Sequence, residues 1–515
     1  MKHIKILSLI LAASVFSLTS CEKELDIPQH SVSQIDSYYQ TDGEAEEGIV
    51  ACYAAMRTLH TGIGSIQSLQ NFLSDDMWSG GGSHYDGNYY MLGDYTFSAD
   101  YGTISSMYSN LYTLVYRANV IIEKVTGTSA IMKRAVAEAR VFRAYAYFYL
   151  TNFWGTPPLV DHMLEESEYM QANATKEALW AFIESDLNEA INSGALTVKS
   201  SKTNYTYRIT EQYAQAMLGK VYVFEKKYAE AAAILDKVIA SNLYALPADM
   251  TTMGIPAGGM NEELLFVINC LNDRSQSGAN NNFGWTFQGL RGEKYSYTSA
   301  SPFASSTFGF LNPTKDLYDA FVAVEGVDGY RLNNAIATRD QMFTKYGTKN
   351  HMEITDNEGY WNYKYRILRS IWAGYFYANN TRIMRYGEVL LLAAEAHLQS
   401  GNVAKATEYV NQVRTRAKAP LIAGAVTMDQ IKTESRLELC FEGQRYLNLI
   451  RWGDAPTELA YKGKSNPALQ VNGSVTWKSY NESNECGFKA GKHEVFPFPA
   501  TEMSVNPNMV QNPGW

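Results

Sequence analysis

Ala214-Gln-Ala-Met-Leu218-Gly219-Lys-Val-Tyr222, followed by Tyr228, Ala231, Leu235 and Val238, reads as a helix, a short turn and a second helix. Apolar residues recur at i, i+3 and i+4 in both halves, which places them on one face of each helix. A small residue in the first helix lets the second come close, and its alanine sits in the notch. Displaced by 175 residues, Ala393, Ala394, His397, Ala406, Val410 and Val413 occupy matching points. Segment 131–153 with 176–192 reads as another pair, joined by a longer connector that contains Pro157-Pro158. A repeated helix pair cannot bury its apolar face alone, so such units stack. Generic antiparallel helix packing fits the same spacing.

Helical periods also run through 44–59, 105–125, 211–224, 229–240, 382–399, 404–417 and 428–450. Ser400-Gly401-Asn402 reads as a helix stop with a glycine suited to a left-handed turn. From about 244 to 377 the character changes: Gly, Asn, Ser and Thr dominate, aromatics are interspersed and long helical periods vanish. A second irregular stretch runs from 461 to the end. The expectation is a mainly α chain, a tetratricopeptide-like helix-pair scaffold with a variable, loop-rich face.

The 515 residues carry a formal net charge of −9. Phosphate backbones need clustered Lys and Arg, and no basic run occurs, so no nucleic-acid partner is expected. Aromatic content reaches 13%, with 36 Tyr and 9 Trp. Most of these belong to the core, and the excess suits a face that stacks on something flat or ring-shaped. At the N-terminus, Lys2, His3 and Lys5 precede a short apolar run from Ile6 to Leu18. That run is too short to span a bilayer and fits a signal peptide over 1–20. Leu18-Thr19-Ser20-Cys21 matches a lipobox, so Cys21 is the expected lipidation site and the means of attachment to a membrane. The other cysteines, Cys52, Cys270, Cys440 and Cys486, have neither metal-type nor CxxC spacing.

No HExxH, G-x-S-x-G or paired-His spacing occurs among the eight histidines, and Gly80-Gly81-Gly82 lacks the GK[ST] of a phosphate cradle. No cofactor, metal or catalytic residue is expected. Glu434, Glu438 and Glu442 stack along one helical face with Arg436, Arg445 and Arg451 near by, and a structural ion network is the reading taken. Asp356-Asn-Glu358-Gly359 reads as a turn.

Several segments together resemble the SusD/RagB family of outer-membrane nutrient-binding lipoproteins. Arg140-Val-Phe-Arg-Ala-Tyr-Ala-Tyr-Phe-Tyr-Leu150, followed by Trp154-Gly155-Thr-Pro157-Pro158, looks like the family's first long helix and its exit. The run from Arg382 to Ala396 looks like its most recognisable helix, and Asn411-Gln-Val-Arg414-Thr-Arg416 follows at the expected distance. Glu434 to Gly453 matches its charged helix, and Phe496-Pro497-Phe498-Pro499 to Trp515 its usual ending. Gly387 departs from the pattern, standing where the family usually has Ala, and close helix contact is the expected reason. The resemblance implies one SusD-like domain over 21–515, seated as a lid on a TonB-dependent outer-membrane transporter. It also implies an oligosaccharide or polysaccharide ligand, less often a peptide. The acidic Glu22-Lys23-Glu24-Leu25-Asp26 resembles a surface-export tag, so the expected location is the outer membrane, facing outward.

Sugars present apolar C–H faces that aromatic rings cover, while polar neighbours bond the hydroxyls. Two irregular stretches combine the two. One is Asp75, Asp76, Trp78, His84 and Tyr85, in what reads as a flexible loop. The other is Asn281, Asn282, Trp285, Gln288, Arg291, Tyr295 and Tyr297, with Trp361 and Trp372 in reserve. Trp78 and Trp285 are expected to flank one shallow site. The rival readings are a surface glycoside hydrolase and a helical protein-interaction adaptor.

Overall fold

Thr41 opens the first helix, Asp42–His60. Its hydroxyl accepts from the Glu44 N–H at 3.2 Å and the Glu44 carboxylate accepts from the Thr41 N–H at 2.9 Å, so two orphan donors of the first turn are satisfied. The same logic, a threonine accepting from the backbone three residues on, starts Lys176–Asn192 and Glu211–Phe224. This computed structural model describes residues 38–255, 260–270, 284–371, 379–481 and 485–515. The signal segment and Cys21 lie outside the described residues, as do Asn281, Asn282 and Trp372.

The expected pairs form and stack. Ala130–Trp154 packs on Gly102–Lys124 and on Lys176–Asn192; Glu211–Phe224 packs on Tyr228–Ala240, and Tyr386–Gln399 on Val403–Ala417. Tyr228–Ala240 also meets Tyr386–Gln399, so the two repeats lie side by side. Gly219 is the notch: a Cβ there would stand 2.5 Å from the Leu235 side chain. Asp236 joins the repeats, accepting from the Tyr409 hydroxyl at 2.6 Å with His397 Nε2 at 3.0 Å. Gly401 takes φ +91° just past Gln399, and Asn402 caps the next helix by accepting from Lys405 N.

Three sequence expectations are corrected. Residues 381–385 form a strand, Thr381–Arg385, paired antiparallel with Leu264–Ile268, and the helix starts only at Tyr386. The charged segment is two helices, Met428–Glu438 and Arg445–Trp452. Between them Phe441 and Gly443 both take φ +69°, which turns the Phe441 carbonyl to the amides of Gln67 and Asn71, at 2.7 and 3.0 Å. Trp78 is not in a loop: Met77–Gly80 is a buried strand paired with Phe310–Pro313, and Asp75 and Asp76 form the buried turn that leads into it.

One apolar cluster runs from Ala45 to Met509, with a satellite beneath the variable region that includes Leu290, Tyr295, Phe303, Trp361 and Leu469. The C-terminal tail completes the first helices. Phe496 stacks on Phe153, the Trp154 indole donates to the Pro497 carbonyl at 2.9 Å, and Asn512 donates to the Trp154 carbonyl at 2.9 Å.

Beside the second repeat lies a buried, charge-balanced network of Glu263, Glu325, Glu434, Glu438 and Glu442 with Arg331, Lys364, Arg385, Arg414 and Arg416. Arg385 alone reaches Glu263 and Glu438 at 2.6 Å and Glu442 at 2.7 Å. This network, not a helix contact, explains Gly387. A Cβ there would fall 2.6 Å from the Arg385 guanidinium and 3.0 Å from the Glu263 carboxylate.

Candidate functional site

Trp477 stands 53% exposed on the strand Val475–Lys478, at the edge of a three-stranded sheet with Asn466–Leu469 and Ile354–Thr355. Beneath it lies Trp78, buried, its ring 6.0 Å from Trp477 and inclined by 70°. Tyr461 also meets the Trp78 ring edge-on, at 6.0 Å. The Trp78 indole is fixed by donating to Glu358 at 2.8 Å, and the same carboxylate accepts from the Lys315 N–H at 2.7 Å. The Lys462 ammonium sits 5.3 Å over the Trp78 ring and donates to the Met77 carbonyl at 2.7 Å. Burial pulls the Lys462 amine down to about 8, against the pull of Asp94 and Asp75. Trp78 is thus locked from below, and the face it supports is that of Trp477.

Three residues beyond Trp477, Tyr480 anchors a second aromatic group. It stacks on His84 at 3.9 Å, and Tyr85, 54% exposed, meets it edge-on at 5.7 Å. His84 is clamped between Asp94 at 3.0 Å and Asp356 at 3.2 Å. Burial disfavours its charge, but the bonds to Asp356 and Asp94 outweigh burial and raise the imidazolium to about 9. A histidine raised in the folded state binds its proton more tightly there than in the unfolded chain. Its contribution is therefore complete below about 6.5, the unfolded value, and is lost as pH rises through about 9. The expected result is that urea denaturation shows a stability advantage of the natural protein over His84→Gln at pH 6 that shrinks by pH 9.5. An advantage that stays constant across that range would mean the imidazole is neutral throughout.

The structure sorts the sequence candidates. Trp78 supports Trp477, and His84 and Tyr85 meet around Tyr480, His84 as an ion-paired support rather than an open contact. Asp75 and Asp76 are corrected: both are buried in ion pairs that tie this strand to the charged helices. Arg445 grips Asp75 with two bonds, at 2.8 and 2.7 Å, and Arg436 reaches Asp76 at 2.6 Å. Trp285 is also corrected. It is 1% exposed and stacked on Tyr365 at 4.5 Å, so it does not flank a shallow site with Trp78. Tyr295 is buried and accepts from the Trp361 indole at 2.9 Å, which makes Trp361 core as well. Tyr297 packs against the same satellite cluster, and Gln288 is half-buried with its amide oxygen 3.4 Å from Asn362. Arg291 does reach the first stretch, pairing with Asp86 at 2.8 Å and with Glu293, and its guanidinium fills the space a side chain at Gly82 would need. In the Asp356–Gly359 turn, Asn357 accepts from the Gly359 N–H at 2.6 Å, as a turn requires.

Trp477 and Tyr480 were missed. The available signal was Asn472-Gly473, a hairpin dipeptide between the extended runs that become Asn466–Leu469 and Val475–Lys478. It places Trp477 on a short hairpin, where an indole has little to be buried against.

Two family models match the chain: the SusD family over residues 329–515, and "starch-binding associating with outer membrane" over 37–223. Between them they take in well over half of the chain. SusD-like protein P25 of Formosa agariphila is 22% identical, over 97% of this chain and 96% of its own length. The starch-binding protein SusD of Bacteroides thetaiotaomicron is 24% identical over 77% of this chain and 76% of its own. Among solved structures, a laminarin-binding SusD-like protein superposes with a TM-score of 0.77 at 28% identity, covering 93% of this chain and all of that one.

Proposed function

This chain belongs to the SusD family, and from that premise we propose that it is a cell-surface lipoprotein that captures a glycan and delivers it to a TonB-dependent outer-membrane transporter. The observation that supports capture is the exposed Trp477 ring on its locked Trp78 support, with the Glu358 carboxylate and Tyr461 beside it. A rigid indole covers the apolar face of a sugar at small entropic cost. The neutral β-glucan laminarin is a reasoned first ligand, since a relative with 28% identity is described as binding it. Delivery rests on family membership alone.

Affinity electrophoresis tests the reading. Soluble protein starting at Glu22 is expected to be retarded in gels containing laminarin or a related polysaccharide, without new reducing ends in solution. New reducing ends would make the protein a hydrolase, and free migration through a panel of neutral and acidic polysaccharides would remove glycan capture. The anchor is tested separately. Cys21→Ala is expected to abolish incorporation of labelled fatty acid and release the protein from the membrane fraction, since several acyl chains are what make such attachment stable. Label retained in that variant would overturn the lipobox assignment.

A further inference from the structure

On helix Gly102–Lys124, Tyr108, Tyr112 and Tyr116 recur every four residues and so share one face. With Tyr169 and Glu502 they line a cleft of about 450 Å³. The cleft shares no lining residue with the Trp477 surface. Tyr112 is fixed by donating to the Pro158 carbonyl at 2.7 Å, and its ring lies 4.8 Å from that of Tyr108. Tyr116 and Tyr169 are 54% and 59% exposed, and Met170, Val505 and Val510 extend the exposed apolar rim. A cluster of exposed apolar residues of this kind marks an interaction site.

The charge distribution narrows what fits. Glu502 is half-buried, and among the described residues its carboxylate has no hydrogen-bond or ion-pair partner. Burial raises its carboxyl above the usual range, and burial first of all, with a small addition from the Glu502 charge, raises the hydroxyls of Tyr108 and Tyr112. Among the described residues, no Lys, Arg or His lines the cleft. The adjoining segment adds Asp161, Glu165, Glu166 and Glu168, and its single His162 is already taken by Asp161 and Glu168. The cleft therefore combines aromatic faces, which attract cations through their ring quadrupoles, with one uncompensated carboxylate.

We propose that this cleft binds an organic cation, an alkylammonium or guanidinium group seated on the tyrosine rings with its charge at Glu502. The group comes either from a free small cation or from a basic side chain of a protein partner; the chemistry is the same. A neutral sugar would leave the carboxylate's charge unmatched.

Isothermal titration and saturation-transfer NMR on the soluble full-length mature protein test this with four probes. These are Nα-acetyl-arginine amide, its neutral urea isostere Nα-acetyl-citrulline amide, and the capped peptides Gly-Arg-Gly and Gly-citrulline-Gly. The expected result is a preference for guanidinium over citrulline of about tenfold or more, the scale of one matched charge in a partly desolvated site. Glu502→Gln should abolish that preference with an unchanged or raised melting temperature, and Tyr116→Ala should weaken binding of the cation. Binding of the peptide but not the amide supports a partner's side chain, and binding of both supports a free cation. Equal binding of arginine and citrulline probes, no binding of either, a preference that survives Glu502→Gln, or displacement by a neutral laminari-oligosaccharide overturns the proposal. Laminarin retardation of Glu502→Gln should match that of the natural protein, so failure here is separable from failure of the glycan reading.

Discussion

Glu438→Ala is expected to lower the free energy of unfolding by about 3–5 kcal/mol, the cost of leaving buried charge without its partner. Glu438 is fully buried and meets Arg385 at 2.6 Å, Arg331 at 3.1 Å and Arg416. Burial by itself would raise its carboxyl, but Arg416 and Arg385 hold it well below the usual carboxylate range. Neighbouring Glu442 is held down to about 2, Arg385 and Lys364 outweighing burial. Depressed carboxylates stabilise the fold above their unfolded values and lose that contribution as pH falls through the folded ones. The share contributed by Glu438 and Glu442 is therefore expected to outlast the ordinary carboxylate range, declining progressively as pH falls from about 4.5 towards 2. Urea denaturation at neutral pH and an acid titration followed by near-ultraviolet dichroism check both. A Glu438→Ala midpoint equal to that of the natural protein would show the network to be energetically silent. Retention of the folded variant on laminarin should be unchanged, because the network lies apart from Trp477.

The second large effect separates two tryptophans. Trp477→Ala is expected to weaken glycan retention by about 1–3 kcal/mol, the scale seen when alanine replaces a stacking aromatic. That is roughly five- to 150-fold in dissociation constant. The melting temperature should hardly move, because the ring is half in water already. Trp285→Ala should do the reverse. It empties a buried site against Tyr365, at a cost of about 3–5 kcal/mol, and leaves retention intact. A Trp477→Ala protein with unchanged retention would remove this surface from consideration as the glycan site.

What could be read from the sequence was local. The helix pairs around Gly219 and Gly401 follow from spacing within some thirty residues, because i, i+3 and i+4 positions share a face whatever else the chain does. The stop and restart at Ser400-Gly401-Asn402 depends on three residues and was legible for the same reason. The candidate site was not local. Asp75 looks like a ligand-binding carboxylate until Arg445 arrives from the other end of the chain. Trp285, set among Asn and Gly, has the composition of a surface loop, and only Tyr365 from a separate segment shows it to be core. The break at Phe441 is invisible to periodicity because its cause, the amides of Gln67 and Asn71, lies in the N-terminal part of the chain.

Those long-range pairings bear on the order in which the molecule can assemble. Synthesis delivers the N-terminal helices first, yet their interior is closed by Phe496, Pro497 and Asn512, and the Asp75 carboxylate is neutralised by Arg436 and Arg445. Until those residues emerge, Trp154 faces water and Asp75 has no counter-charge, so burying either is unfavourable. Local helix pairs can form early, but the loop-closure entropy of joining the two ends must be met before the contacts repay it. Completion of the fold therefore waits for the last few dozen residues. A nascent or truncated chain lacking that tail is a partly assembled, aromatic-exposing intermediate of the kind that chaperones hold.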